Sequence, residues 1–514
     1  TVSNCKIQQV GKLDADLVPP MPSKTKIEAS EIQGVFPITT QPAPLSNHDD
    51  RLGEKGDILK IGVSKRCNPL QEFPLECVNT AYMSICKLYK KVLKPVRAGI
   101  KPLSYIEACE GLSVEGYDPI EFRTSEGYPW SRMRPAGASD KSWMFQLTAY
   151  PDGRNKVEGF IPELLNTLEG KAVLRKNGIV PASYFTACLK DARIPNRKVS
   201  VPGSTRVFEM SPVDLTIAQR QFFMDFTVAY RVARLQAENS IGINPDGKEW
   251  TQLVEYLTEF SPCILTADYS GYGPRLSHAL LERSFDASIV WLMDNEVCEE
   301  EEMNDRCVTR LVLKHEVTHG LHVVKDLVFR PTCGLPSGNC ETVERNSQTN
   351  SLYIRIAFYE LAKRYAPVYR DAYWFDKKVR LVTNGDDLIA SVKEDVISWF
   401  NNRTLIEFFV EYGLKMTDAL KSGVVRDYCS IEEASYLKRG FVKHPTREGE
   451  WMAPLEEASI TDTANWVWRS VDKRAASLVN SEACCRLAYT RGPEFYERIA
   501  SRIQTAVVRV RSSI

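Results

Sequence analysis

Apolar residues recur along this chain at two spacings, and the switches between them mark out its elements. At 70–93, LQEFPLECVNTAYMSICKLYKKVL, apolar positions fall three and four apart once past Pro74, which predicts an amphipathic helix. A second helix is expected over about 212–234, with Pro212 near its start as helix entry allows. CILTADYSGYG, 263–273, reads as a short apolar strand ending in an acid and a Gly-rich turn, with a helix to about 298 after it. The stretch 306–330 alternates β-branched with polar residues and reads as strands. GLPSGN opens a long helix over 340–365. In LVTNGDDLIASV, 381–392, two β-branched-rich runs flank Asn-Gly-Asp-Asp. Asn-Gly between such runs is a strong hairpin signal, because both residues tolerate the positive φ of a tight primed turn. A helix over about 395–412 and a helical tail from 453 onward complete the pattern. Residues 1–52, rich in Pro, Lys and Ser, show no sustained period and read as an extended strap or as disorder. Alternating strands and helices with a helical end predict an α+β core followed by an all-α domain.

The 514 residues suffice for two to four domains, and 43% hydrophobic with 26% charged residues is ordinary for a chain with a large core. Lys plus Arg equals Asp plus Glu at 66 each, so a polyanion site must be a local basic channel rather than a whole-molecule field. KDARIPNRKVSVPGSTR, 190–206, is such a segment, with no acid after Asp191. Fourteen Cys without a CxxC pair point to reduced, mostly buried thiols of a cytosolic protein. No apolar run reaches transmembrane length and no signal peptide is present. A start at Thr1 rather than Met is what release from a longer precursor, or trimming, leaves.

Asp268 ends one predicted strand, while Asp386 and Asp387 tip a hairpin. If those strands are neighbours, three carboxylates converge, and hard oxygen donors suit Mg²⁺, which retains waters and binds substrate phosphates. Two such ions about 4 Å apart activate a 3′-hydroxyl and stabilise leaving pyrophosphate in phosphoryl transfer.

With these segments assembled, the chain resembles the RNA-dependent RNA polymerases of picornaviruses and picorna-like insect viruses over nearly its whole length, with motifs in the family's order. PSKTKIE near Pro22 is similar to the index-finger strap, and TSEGYP to the loop that guides template and priming strand. KDAR…GSTR is similar to the basic fingers motif, ADYSGY to the first palm motif, and GLPSGN…T…N to the second. NGDD corresponds to Gly-Asp-Asp, YGLKMTDALKS to the fourth palm motif, and SYLKRGF to the primer grip. Two positions depart from the pattern: Asn384 stands where the family usually has Tyr, and Gly273 where it commonly has a second Asp.

The resemblance implies a closed right hand with fingers at 1–222 and 276–338, palm at 223–275 and 339–434, and thumb at 435–514. It implies template-directed RNA synthesis with Asp268 and Asp386 on Mg²⁺ (or Mn²⁺), Asp387 assisting, and Lys421 as the general acid that protonates pyrophosphate. Lys190, Arg193, Arg197, Lys198 and Arg206 would clamp the triphosphate, with Arg193 and Arg197 left as alternatives by spacing, and Lys24 and Lys26 would line its entry. Ser337, Thr342 and Asn346 would select the ribose, Asn346 and Ser337 taking the share that Gly273 cannot. Thr124, Ser125, Gly127, Tyr128, Pro129 and Gly338 would contact RNA, and Lys438 and Arg439, on a strand, would hold the primer backbone. The implied partners are RNA template and primer, ribonucleoside triphosphates, a small genome-linked protein primer and other viral replication proteins. The setting is replication of a positive-strand genome in host cytoplasm, on membranes reached through partners.

His315-Glu316-Val317-Thr318-His319 satisfies HExxH, a zinc-protease pattern if helical. The β-rich surroundings and Gly320 instead predict strands, on which residues four apart lie about 13 Å from each other, too far for one zinc. No zinc is expected. Two further rivals are a non-catalytic RNA-binding relative, opposed by the Asp trio and Lys421, and a reverse transcriptase, opposed by the Ser337 and Asn346 pattern.

Overall fold

The helix Thr342–Tyr365 runs through the middle of the molecule, with most of its residues buried, polar ones included. Such a helix needs its charges paired inside. Arg345 donates to Glu341 at 3.0 Å and to Ser288 at 2.7 Å; Arg355 donates to Asp376 at 2.9 Å and forms a buried ion pair with Glu238. The computed structural model describes residues 7–53, 56–67, 70–419 and 424–512. Helices Leu75–Val92 and His278–Asn295 pack on one side of the central helix, and a four-stranded antiparallel sheet packs on the other.

That sheet carries the strands Val379–Asn384, Asp387–Val392, Ile264–Tyr269 and Met416–Asp418 in that order. Its alternation is clean. Leu381, Leu388 and Ala390 face the central helix, whereas Val382, Ile389 and Ile264 face Trp250, Leu253 and Leu257 of the helix Lys248–Thr258. The two-residue period therefore buries both faces and fixes the register, since a slip of one would exchange them.

Of the N-terminal segment, residues 7–53 form a strap. Gln8–Lys12 pairs with Leu327–Arg330 at the edge of a five-stranded sheet, Ile27–Ala29 with Trp466–Trp468, and Thr40–Pro42 with Arg193–Pro195. Three short edge strands tie together segments hundreds of residues apart. No period was legible because each strand has only three to five residues and is held by backbone pairing.

Three expectations are corrected. Residues 300–318 are a helix, Glu300–Thr318, and only Leu321–Val324 and Leu327–Arg330 are strands. Its buried positions, Thr309, Arg310, Val312, Leu313, Glu316 and Val317, recur at helical spacing, and three acids in its first turn favour that end of the helix dipole. The expected helix over 395–412 is confined to Asn402–Glu411, which Asn401 and Thr404 start with a reciprocal capping box. The C-terminal tail is mainly helical, in Lys473–Tyr489 and Pro493–Ser512, but the strand Trp466–Trp468 interrupts it.

The HExxH segment is thus helical, and His315 and His319 do lie one turn apart, their rings 4.7 Å between centroids. Glu316, however, points inward, where Arg175 donates to it at 2.6 and 3.0 Å and Ser183 at 2.8 Å. His319 instead meets Glu282 at 2.7 Å. A carboxylate locked in a buried ion pair cannot serve as the base of a zinc protease, so the protease reading fails for this reason rather than for want of a helix. Glu316→Ala is expected to destabilise the protein by about 3–5 kcal/mol, because it leaves Arg175 charged and unpaired in the interior; urea unfolding of the variant beside wild type measures the loss.

Candidate active site

The Asp-rich hairpin forms, with a turn one residue later than Asn-Gly implied. Asn384 pairs with Asp387, so Gly385 and Asp386 are the two turn residues and Asn384 ends its strand. Gly385 has φ +65°, which fits a type II′ turn, where Gly takes the first central position. The neighbouring register pairs Leu388 with Ala267. One rung further, Asp387 comes level with Asp268, which Thr417 flanks on the other side.

Asp386 stands exposed towards the cleft, yet the protein wall around its carboxyl desolvates it and raises its pKa above the ordinary carboxylate value. Asp268 pushes the same way by repulsion, while Asp386's own backbone N–H, Arg206 and Lys438 oppose it. A carboxyl held up by burial and a like charge gains from an added cation, and the oxygen-only donor set fits Mg²⁺ or Mn²⁺.

The turn is gripped from behind by neutral groups. Ser347 Oγ accepts the Gly385 N–H at 2.8 Å, and Asn350 Nδ2 donates to the carbonyls of Gly385 and Asp386 at 3.1 and 3.2 Å. Tyr269 in turn donates to Asn350 Oδ1 at 3.0 Å. Ser347 and Asn350 were not among the residues that the sequence singled out. A signal existed for Asn350, which continues the one-turn spacing of Thr342 and Asn346 on the same helix.

Beside the carboxylates lies a basic surface. Lys190, Arg197, Lys198 and Arg206 are exposed and take no part in an ion pair among the described residues. Arg193 is committed elsewhere: it donates to the carbonyl and carboxylate of Asp462 at 2.9 and 3.3 Å. Lys65 is a further cation that sequence reasoning missed. Its Nζ donates to the Gly203 carbonyl at 2.7 Å, and desolvation, with Lys198 and Arg206 nearby, lowers its pKa. Lys24 and Lys26 are exposed on the strap, which Asp191 anchors by accepting from Thr25 Oγ1 and the Lys26 N–H at 2.7 and 2.6 Å. Lys421 lies outside the described residues.

Ser337 does not cap a helix, which begins only at Thr342; its hydroxyl sits 3.4 Å from Glu209, a buried carboxylate beside Arg66. Gly338 donates to the Glu209 carbonyl at 2.8 Å, and a Cβ there would lie 2.3 Å from that oxygen, so only Gly fits. Thr342 directs its hydroxyl to the Asn339 carbonyl at 2.7 Å. Asn346 differs: its Oδ1 is buried without a hydrogen-bond partner among the described residues, while its carbonyl accepts from Tyr272 at 2.8 Å. Nothing lies within 4 Å of where a Cβ on Gly273 would be.

In the TSEGYP loop, Thr124 donates to the Glu121 carbonyl and Ser125 Oγ accepts the Gly127 N–H, so both hydroxyls shape the loop itself. Gly127 has φ +77° and packs on Ser211, Tyr128 meets Tyr184 edge-on, and Pro129 follows a cis peptide bond. At the other side of the cleft SYLKRGF is a tight turn, not the expected strand. Lys438 is exposed at its tip, whereas Arg439 donates to the Ala453 carbonyl at 2.8 Å.

A sheet-borne carboxylate cluster under a basic wall, closed by an N-terminal strap, defines a right-hand nucleotide polymerase. The sequence places it more closely: the family model for viral RNA-dependent RNA polymerases matches residues 30–507, and the chain belongs to that family as an RNA-directed RNA polymerase. It is 35% identical over 97% of its length to part of the genome polyprotein of Deformed wing virus. It is also 30% identical over 93% of its length to part of the replicase polyprotein of Acute bee paralysis virus (strain Rothamsted). The chain spans 17% and 24% of those polyproteins. Among solved structures, a Sicinivirus 3Dpol RNA-dependent RNA polymerase shares the fold with TM-score 0.77 and 21% identity, covering 98% of this chain and 95% of that one.

Ser347→Ala is expected to leave the Gly385 N–H without its acceptor and to cost about 1–3 kcal/mol locally. Faster hydrogen exchange of the Gly385 amide than in wild type is the measurement.

Proposed function

We propose that this chain copies a positive-strand viral RNA genome by two-metal nucleotidyl transfer, with Asp268 and Asp386 as the metal ligands and Asp387 assisting. The observation that carries the reading is the juxtaposition of Asp268, Asp386 and Asp387 with Arg206 and Lys438, cations without an ion-pair partner among the described residues and both close enough to act on Asp386. Divalent ions bound there would supply Lewis-acid stabilisation of the attacking and leaving oxygens. The chain's own residues do the remainder. Ser347 and Asn350 hold the turn so that the carboxylates are aimed before substrate arrives. Arg197, Lys198, Arg206 and Lys190 take the triphosphate, with the guanidinium groups suited to bidentate contact; Arg193, paired with Asp462, is given no such part. Lys421 delivers a proton to pyrophosphate, and Lys438 holds a primer phosphate.

Fingers at 1–222 and 276–338, palm at 223–275 and 339–434, and thumb at 435–514 are the division we adopt. We further propose initiation from a small genome-linked protein, on host cytoplasmic membranes reached through other viral proteins. No helix among the described residues is long and apolar enough to cross a membrane.

Primer extension on a homopolymeric RNA template, with Mg²⁺ and with Mn²⁺, tests the reading. Asp386→Ala is expected to abolish nucleotide incorporation while RNA binding persists, because the metal ligands and the basic surface are different residues; a variant that still extends primer would refute the site assignment.

Ribose recognition is assigned to Asn346 and Ser337. The reading is supported by the Asn346 Oδ1, buried without a hydrogen-bond partner among the described residues, and by the open space at Gly273. Asn346→Ala should lower the preference for ATP over dATP, mainly through poorer ATP use, since each lost hydrogen bond costs about 0.5–1.5 kcal/mol. The ratio of incorporation efficiencies on one template decides it, and an unchanged ratio places sugar selection elsewhere.

A further inference from the structure

The turn at 436–439 and the catalytic hairpin are joined by one buried serine. Tyr436 and Arg439 exchange backbone hydrogen bonds at 3.0 and 2.9 Å, closing a two-residue turn at Leu437 and Lys438. Both have positive φ, 54° and 61°. Left-handed backbone is unfavourable for residues with long side chains, so surrounding contacts must hold this turn. Tyr436 supplies them. Its ring stacks with Trp250, and its hydroxyl is 2.7 Å from Ser240 Oγ. Ser240 is fully buried and donates its backbone N–H to the Thr383 carbonyl at 3.0 Å. Its carbonyl and hydroxyl oxygens both accept from Asn384 Nδ2, at 3.3 and 3.4 Å. Thr383 and Asn384 are the last two residues before the Gly385-Asp386 turn. The two loops also face one another electrostatically, since Lys438 acts on Asp386 and Asp387 acts on Tyr436.

We infer that Tyr436, Ser240 and Asn384 form a positioning unit that fixes the Lys438 turn, and with it the 3′ end of a primer, relative to the catalytic carboxylates. The inference rests on the polymerase reading above and deepens it. None of the three residues need touch RNA or metal; they act through the turns they join. Asn384 is the member peculiar to this chain's Asn-Gly-Asp-Asp. Its short amide reaches two oxygens of Ser240 at once, which a Tyr at the same position, with one hydroxyl at the end of a rigid ring, does not reproduce.

The test is single-turnover nucleotide incorporation by the full chain on a primed homopolymeric RNA template, for Tyr436→Phe, Asn384→Ala and the double variant. Tyr436→Phe keeps the ring against Trp250 and removes only the hydroxyl. Each single change is expected to slow incorporation at saturating nucleotide by about 10-fold, below the roughly 100-fold that a 1 Å misplacement can cost. Apparent nucleotide affinity and melting temperature should stay at wild-type values. Because both changes break one connection, the double variant should be no slower than the slower single. The link is overturned by a wild-type rate in Tyr436→Phe, by losses that multiply in the double variant, by a loss confined to nucleotide affinity, or by rates that merely track melting temperature. Should Tyr436→Phe not fold, Ser240→Ala takes its place in the cycle. Asp386→Ala run alongside separates the two readings: activity in that variant overturns the site itself, whereas its inactivity beside a wild-type Tyr436→Phe overturns only the link.

Discussion

Bringing Asp386 beside Asp268 and Asp387 is electrostatically unfavourable, and the way this chain bears that cost shapes the rest of the molecule. A lysine or arginine in contact with Asp386 would relieve the repulsion and occupy the place of a metal. Instead the backbone behind the carboxylate is held by Ser347 and Asn350, which are neutral, while Arg206 and Lys438 act from further off. Neutral donors can do this only from a rigid support. The central helix that bears them is correspondingly buried along most of its length, its arginines tied to Glu341, Glu238 and Asp376. A polar interior is costly to misassemble, because each unpaired buried group forfeits its hydrogen bonds.

The strap serves the opposite wall of the cleft. By pairing a strand with each of three segments it couples the basic segment to the C-terminal helices. Arg193 belongs to this coupling: Thr40–Pro42 pairs with the strand on which it sits, and its guanidinium reaches Asp462. Asp191, two residues earlier, is likewise turned to the strap. One short stretch of sequence thus divides its charges between holding the wall and facing solvent.

How much of this was legible depended on whether an element announced itself locally. The hairpin, the strand bearing Asp268 and the long helices did, since burial on one or two faces imposes a period. The turn was read one residue early because Asn-Gly and Gly-Asp are both good turn pairs, and only the register, Asn384 against Asp387, chooses between them. Within the helix Glu300–Thr318, residues from 306 onward also suit strands because their Val, Thr and Leu residues satisfy both patterns; the arginine and glutamate positions, buried against Glu296 and Arg175, look solvent-facing until their partners are known. Ser347 behind the turn and the Ser240 link depend on contacts across more than thirty residues and leave little trace in any local window, whereas Asn350 shows only as a further polar residue at one-turn spacing.

The equality of acidic and basic residues would suggest that the molecule has no field for a polyanion to follow. The structure removes that difficulty without any excess of charge. Salt screens exposed charges beyond about 8–10 Å, so a nucleotide senses only the groups near it. Within that range the basic segment's own acid, Asp191, is engaged by the strap, and Glu209 is buried against Arg66. Lys65, Lys198 and Arg206 remain, close enough together for the latter two to depress the pKa of the first. Mutual repulsion among these cations is a standing cost to the folded chain, and the triphosphate proposed to bind here would relieve it. The same repulsion, with opposite sign, acts between Asp268 and Asp386, and the metal-bound nucleotide proposed for this cleft would supply the counter-charge for each.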